Sequence, residues 1–188
     1  MSTAVATKRT VNGVDTVALK QLIDNSAKGG RQSQVKFAVA THWRGGARSE
    51  TRVDGYEFAG RQVEKDFSIL IDEPRELCGT NTQPNPQEML MAAFNACMLV
   101  GYVAGATVHG IELQSLSIET QGELDLRGFL GLDATVKPGY DSIHYTVRIR
   151  GNGTAEQFEK IHQTVIATSP NRFNIANPIK LTSELVVV

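Results

Sequence analysis

The chain has 188 residues, of which 41% are hydrophobic and 21% charged, and its formal net charge is −1. That length fits one domain with a sizeable core, and the near-neutral charge gives no global attraction to nucleic acid or to an anionic membrane. No run of eighteen apolar residues marks a membrane span, and the opening residues lack the apolar stretch of a signal peptide, so the expected location is the cytoplasm, without nucleic-acid or membrane partners.

In chain order, residues 1–12 read as loosely attached. Val17, Leu19, Leu22 and Ile23 recur at helical spacing and Gly29-Gly30 stops them, which predicts a short amphipathic helix over 14–27. Together, residues 1–30 form an N-terminal extension ahead of a single domain over 31–188. Val35, Phe37, Val39, Thr41 and Trp43 alternate with smaller or polar residues, the pattern of a strand with one buried face. After Gly45-Gly46, a second strand runs from Arg48 to Val53, Tyr56 to Ala59 continues the meander, and Phe67, Ile69 and Ile71 mark another strand. Cys78 to Pro86 reads as a loop.

The segment Met89 to Ala106 is apolar or small on every helical face, which requires burial on all sides. Asn85 suits its N-cap, Pro86 its first position and Glu88 its third, completing a capping box. Gly110 ends it near His109. Leu116, Ile118, Thr120 and Leu124 then alternate along a strand. Residues 127–141 form a connection containing Gly and Pro, in which Phe129 and Leu130 serve either as a lid or as the staple of a surface loop. Ile143, Tyr145, Val147 and Ile149 give the cleanest strand. Thr154 caps a helix with Phe158, Ile161, Val165 and Ile166 inside and Gln157 at N3, broken by Ser169-Pro170. A final strand uses Ile179, Leu181, Leu185 and Val187. This order is α+β with antiparallel sheets around a buried central helix, and a second subunit is the economical cover for that helix.

Two cysteines, Cys78 and Cys97, are too few for a disulfide scaffold. The four histidines form no ligand pattern with them, so neither a metal nor a cofactor is expected. Taken alone, Cys97 in its apolar helix reads as an inert core residue; reactivity requires a nearby cation or donor to hold the thiolate.

The stretch Pro84-Asn85-Pro86-Gln87-Glu88-Met89-Leu90-Met91-Ala92-Ala93-Phe94-Asn95-Ala96-Cys97-Met98 resembles the reactive-cysteine helix of the OsmC/Ohr family. Thr41-His42-Trp43, followed by Gly45-Gly46 and Arg48, resembles its N-terminal strand, and the likeness covers roughly residues 33–188. The resemblance implies an OsmC-like fold, an intertwined homodimer and reduction of organic hydroperoxides by a thiol reductant. Cys97 then matches the cysteine that becomes a sulfenic acid. Arg48 is the best match to the arginine that holds the thiolate, with Arg44 and Arg52 as alternatives.

Two departures stand out. The family's glutamate directly after proline falls on Gln87, leaving Glu88 either to that role or to the helix cap. The family's second, resolving cysteine falls on Ser169, which cannot form a disulfide, so Cys78 or an external thiol must resolve the sulfenic acid. The alternative function is a stress-associated binding protein without peroxidase turnover, holding an apolar ligand at the dimer interface.

Overall fold

A computed structural model of the chain describes residues 10–187. Residues 1–9 of the segment expected to be loose lie outside the described residues, whereas 10–12 belong to a small hairpin. The chain divides into two compact units, Met1–Ala92 and Ala93–Val188.

In the first unit, β1 (Thr10–Val11) pairs antiparallel with β2 (Val14–Asp15). Helix α1 (Thr16–Ser26) follows where a helix is predicted, capped by the Asp15 carboxylate, which accepts the N–H groups of Val17 and Ala18 at 3.0 and 3.2 Å. Its apolar residues Val17, Leu22 and Ile23 remain exposed. The single strand expected over 35–43 is two, β3 (Val35–Phe37) and β4 (Ala40–Trp43), interrupted at Ala38-Val39. Both pair antiparallel with β5 (Ser49–Phe58), β3 at its far end and β4 at its start. Tyr56 to Phe58 extends β5 past a register shift between Val53 and Gly55. β6 (Arg61–Ile71) lines the other edge of β5. The sheet leaves Phe37, Phe67 and Trp43 exposed, Trp43 by 77%. The Trp43 indole N–H donates to the Gly46 carbonyl at 2.8 Å, across the β4–β5 turn.

The loop after β6 is tied to Asp72, which is fully buried. Its carboxylate accepts the backbone N–H groups of Thr80 and Thr82 at 3.1 and 3.2 Å and both their hydroxyls. Its own N–H donates to the Pro84 carbonyl at 3.2 Å. The Thr80 hydroxyl and the backbone N–H groups of Thr82, Glu73 and Thr80 hold its carboxyl far below the usual carboxylate range, against the opposing effect of burial. The depressed folded pKa stabilises the fold above the unfolded value, about 3.9, and that stabilisation is lost as pH falls below it toward the folded pKa. Urea unfolding from pH 6 down to pH 2.5 is therefore expected to show a steeper acid loss in the wild type than in Asp72→Asn; parallel curves would refute the linkage.

Helix α2 (Pro86–Val108) starts in the first unit and runs through the second. Its capping box forms as predicted: the Glu88 N–H donates to Asn85 Oδ1 and the Asn85 N–H to Glu88 Oε2, both at 2.8 Å. At its other end Gly110, at φ 67°, makes the left-handed residue of a Schellman motif, with Ile111 N–H donating to the Ala106 carbonyl at 2.8 Å and Gly110 N–H to Thr107 at 3.0 Å. Ile111 packs into the core beside Ala106.

The second unit continues with β7 (Leu113–Gly122), the one-turn α3 (Leu126–Phe129), β8 (Ile143–Gly151), α4 (Ala155–Thr168) and α5 (Pro170–Ala176). β7 and β8 pair antiparallel. α4 carries the expected capping box of Thr154 and Gln157. Its core joins Phe94, Met98, Tyr102 and Ala106 of α2 to Ile161 and Val165 of α4, with Leu116, Ile118, Tyr145, Val147 and Ile149 of the sheet packed against them. Within α3 and the residue after it, Phe129 and Leu130 stand exposed.

Two expectations differ from the structure. The single chain buries one stripe of α2, four residues apart, rather than every face, and Val100 is 67% exposed. No strand forms between Asn177 and Val187; a strand exists only through a ladder partner, and none reaches this segment, so Leu181 and Leu185 are exposed. Among the described residues α2 is also long and apolar enough to cross a membrane by length and composition, with 22% of its apolar window buried. The count of uninterrupted apolar residues passes over it because Asn95 and the two glycines, Gly101 and Gly105, break the run.

Candidate functional site

Gly101 and Gly105 explain how Cys97 is placed. A Cβ on Gly101 would stand 3.1 Å from Val165 Cγ2, and one on Gly105 would stand 3.0 Å from Ile161 Cγ2. The absence of side chains there lets α2 and α4 approach closely and run antiparallel. The contacts step four residues along each helix, Gly105 with Ile161 and then Gly101 with Val165. One more step brings Cys97 opposite Ser169, and Cys97 Sγ lies 3.5 Å from Ser169 Oγ.

Both helices support this meeting. Ser169 ends α4 and begins α5: its N–H donates to the Val165 carbonyl and its carbonyl accepts Phe173 N–H, each at 2.9 Å. Its Oγ accepts the Arg172 N–H at 3.5 Å as the N-cap of α5, and Pro170 occupies the first position of that helix. Ser169 is 6% exposed, whereas Cys97 is half-buried and its thiol is free. Asn171 Nδ2 donates to the Ala93 carbonyl at 2.8 Å, tying α5 to the turn of α2 before Cys97. The Arg172 guanidinium donates to the Ile166 carbonyl at 3.0 Å and the Tyr145 hydroxyl at 3.3 Å. Sequence reasoning passed over Asn171 and Arg172; their signal was position in the first turn after a Ser-Pro helix start.

Of the other predicted residues, Arg48, Glu88 and Cys78 belong to the first unit. Arg44 pairs with Glu50 at 2.7 Å and Arg52 with Asp66 at 2.5 Å. The Ser68 hydroxyl and Arg44 together hold the Glu50 carboxyl below its ordinary value. Arg48 instead donates to the carbonyls of Gly45 and Arg44, each at 3.5 Å, and has no carboxylate partner among the described residues. It lines a small cavity of about 200 Å³ with Arg44, Ser49, Leu70, Thr82 and Gln83. Glu88 is engaged in the helix cap. The nearby charges of Asp72 and Glu88, after burial, raise the Glu73 carboxyl. Cys78 is exposed and free, in the left-handed conformation at φ 64° after a short 3₁₀ turn. Among the described residues no group of three His, Cys, Asp or Glu side chains has the arrangement of a metal site.

A second feature of the second unit lies farther along the α2–α4 seam. Tyr102, 1% exposed, sets its hydroxyl 2.5 Å from His162 Nδ1. Burial pushes the Tyr102 phenol up to about 12, so it stays protonated. These two residues line an open cavity of about 660 Å³ with Tyr145, Val147, Phe158 and Glu159.

Residues 79–184 match the family model described as OsmC, OsmC-like protein. The fold is similar to that of an OsmC-like protein from Mycoplasma pneumoniae, with TM-score 0.59 and 14% identity over 75% of this chain and 87% of that one. It is also similar to an OsmC-like protein of unknown function from Vibrio cholerae, with TM-score 0.56 and 13% identity over 73% and 91% of the two chains. No curated protein sequence matches the chain.

Proposed function

The chain belongs to the OsmC family, and from that premise we propose that it reduces organic hydroperoxides through Cys97, in a stress or detoxification role. The observation that carries this reading is the setting of the thiol. Cys97 is half-buried and its sulfur meets a hydroxyl, not only the apolar packing of an inert core cysteine. The thiolate attacks one peroxide oxygen, the O–O bond breaks, the alkoxide leaves and takes a proton, and Cys97 becomes a sulfenic acid. A thiol returns it to the reduced state. The electrons come from that thiol, so the cycle requires no metal or cofactor.

The resemblance assigns thiolate activation to an arginine of the N-terminal strands. Arg48 fits best, because Arg44 and Arg52 are committed to carboxylates while its guanidinium is not. Arg48→Ala is expected to slow oxidation of Cys97 by about a hundredfold, the usual cost of removing one charge-stabilising donor. Arg44→Ala should leave the rate within about threefold, the scale of a surface ion pair. Equal losses in a stopped-flow comparison of the two variants would remove Arg48 from this role. Glu88 serves the same helix start through its cap. The working form is a homodimer in the cytoplasm; the dimer draws support from the exposed apolar residues of the β3–β6 sheet, of α2 and of residues 179–187.

The decisive experiment mixes purified protein with cumene hydroperoxide and compares dithiol with monothiol reductants. Peroxide loss with transient gain of one oxygen on Cys97 is expected; no loss under any reductant, with Cys97 still reduced by mass, would refute the proposal. A second reading, binding of an apolar ligand without turnover, draws support from serine at position 169 and from the aromatic-lined cavity beside Tyr102. A co-purified apolar ligand with an unoxidised Cys97 would favour it.

A further inference from the structure

We infer that Ser169 is a positioning residue for the Cys97 sulfur, donating its hydroxyl to the thiolate and then to the sulfenic acid, and that the reductant is a low-molecular-weight thiol from solution. This rests on the peroxidase reading above and specifies how its cycle closes.

The geometry begins with the helix seam. The four-residue register of α2 on α4 puts position 169 opposite Cys97, so whatever occupies it meets the sulfur. Ser169 is buried, its backbone is held on both sides, and its Oγ is engaged as the N-cap of α5. A serine hydroxyl carries one proton and accepts through its lone pairs. One lone pair takes the Arg172 N–H. A thiolate has no proton to give, so in the reactive form the Cys97–Ser169 bond runs one way only, from Oγ–H to Sγ. A donor already in place costs little reorganisation when the charge forms.

The same placement determines how the oxidised state is resolved. The group facing Cys97 is an oxygen, which cannot displace the sulfenic hydroxyl to form a disulfide. The other cysteine, Cys78, is exposed and free. A thiol from solution takes the step, and the Cys78→Ser variant below tests it against Cys78. A monothiol attacks Cys97 Sγ, forming a mixed disulfide and releasing the peroxide-derived oxygen as water. A second monothiol attacks the outer sulfur, releasing the Cys97 thiolate and a small disulfide. In sum, one hydroperoxide and two thiols give one alcohol, one disulfide and one water.

The test uses the full chain as wild type and as Cys78→Ser, Ser169→Ala, Ser169→Gly, Ser169→Thr and Ser169→Cys. Each is treated with cumene hydroperoxide, followed by 2-mercaptoethanol, with intact-mass readout. Wild type and Cys78→Ser should both gain one oxygen on Cys97, pass through the mixed disulfide and turn over. Ser169→Ala should be oxidised about tenfold more slowly, the scale of one hydrogen bond to a charged group. Ser169→Gly removes the hydroxyl but keeps an acceptable helix N-cap, so it should match Ser169→Ala even if the alanine variant folds poorly. Ser169→Thr should restore the rate to within about threefold, because it returns the hydroxyl. Ser169→Cys should lose two hydrogens to an internal disulfide and skip the mixed disulfide. Wild-type oxidation rates in both hydroxyl-free variants would overturn the positioning role. An internal disulfide in wild type that vanishes in Cys78→Ser would overturn the external thiol. Failure of wild-type Cys97 to take up oxygen at all would overturn the peroxidase reading, and this inference with it.

Discussion

Cys97→Ser is expected to reduce hydroperoxide consumption to the uncatalysed background, a loss of at least about a thousandfold, while leaving the fold intact. The proposed chemistry depends on a polarisable thiolate that accepts an oxygen atom and later loses it as water when a thiol attacks the sulfur. A serine hydroxyl stays protonated at neutral pH and has no comparable redox ladder, so no second group in the seam can take over. The substitution is nearly isosteric and sits where the side chain meets a hydroxyl, 3.5 Å away at Ser169, so a hydrogen bond survives there. Circular dichroism and the urea midpoint should therefore stay close to wild type. Residual peroxide loss in Cys97→Ser would point to Cys78 as the active thiol.

The adjacent residue is expected to behave in the opposite way. Met98→Ala should lower stability by about 2–5 kcal/mol, the range for emptying a large buried side chain. Met98 is 0% exposed and belongs to the stripe with Phe94, Tyr102 and Ala106 that faces α4 and the β7–β8 sheet. The cavity left behind is closed in by Tyr102 on one side and Phe94 on the other, and Phe94 is itself held edge-on to Tyr145 at 5.1 Å. Urea unfolding reads this directly; a change under about 1 kcal/mol would mean that the site collapses without cost. Enzymatic rate per folded molecule should change far less than in Cys97→Ser. Consecutive residues on α2 thus separate chemistry from packing, because a helix turns them about 100° apart.

Features decided within a few residues were legible in the sequence. The boxes of Asn85 with Glu88 and Thr154 with Gln157 are side chains answering backbone groups three positions away, and both form. The Ser169-Pro170 break is equally local. Features that need distant partners were not. The last strand was read from alternation in Ile179, Leu181, Leu185 and Val187, but alternation gives a face and not a ladder partner. Burial of α2 on all sides was inferred from composition, yet one chain offers only enough surface to cover one stripe. The Asp72 tie had no signal of its own, since Thr80 and Thr82 read as ordinary loop residues. At the site, the Cys97 motif was legible and the resemblance already paired position 169 with it; what was not legible is the register of two helices that brings them together, which depends on Gly101 and Gly105. Arg48 ranked above Arg44 and Arg52 by resemblance alone; the ion pairs of the other two with Glu50 and Asp66 had no local signal.

Trp43 is the only tryptophan in the chain, and its ring lies open on β4 while its N–H is fixed to Gly46. Its fluorescence is therefore a private signal of the first unit. The tyrosine band of the near-ultraviolet dichroism is weighted to the second, which holds Tyr102, Tyr140 and Tyr145 of the four tyrosines. Following both through one denaturation gives two independent curves for two parts of one polypeptide, and their coincidence or separation measures how far the parts unfold as one cooperative body. The same indole, facing solvent in the single chain, would shift its emission to shorter wavelength when another surface covers it, a change that unfolding, which leaves the indole exposed, does not produce.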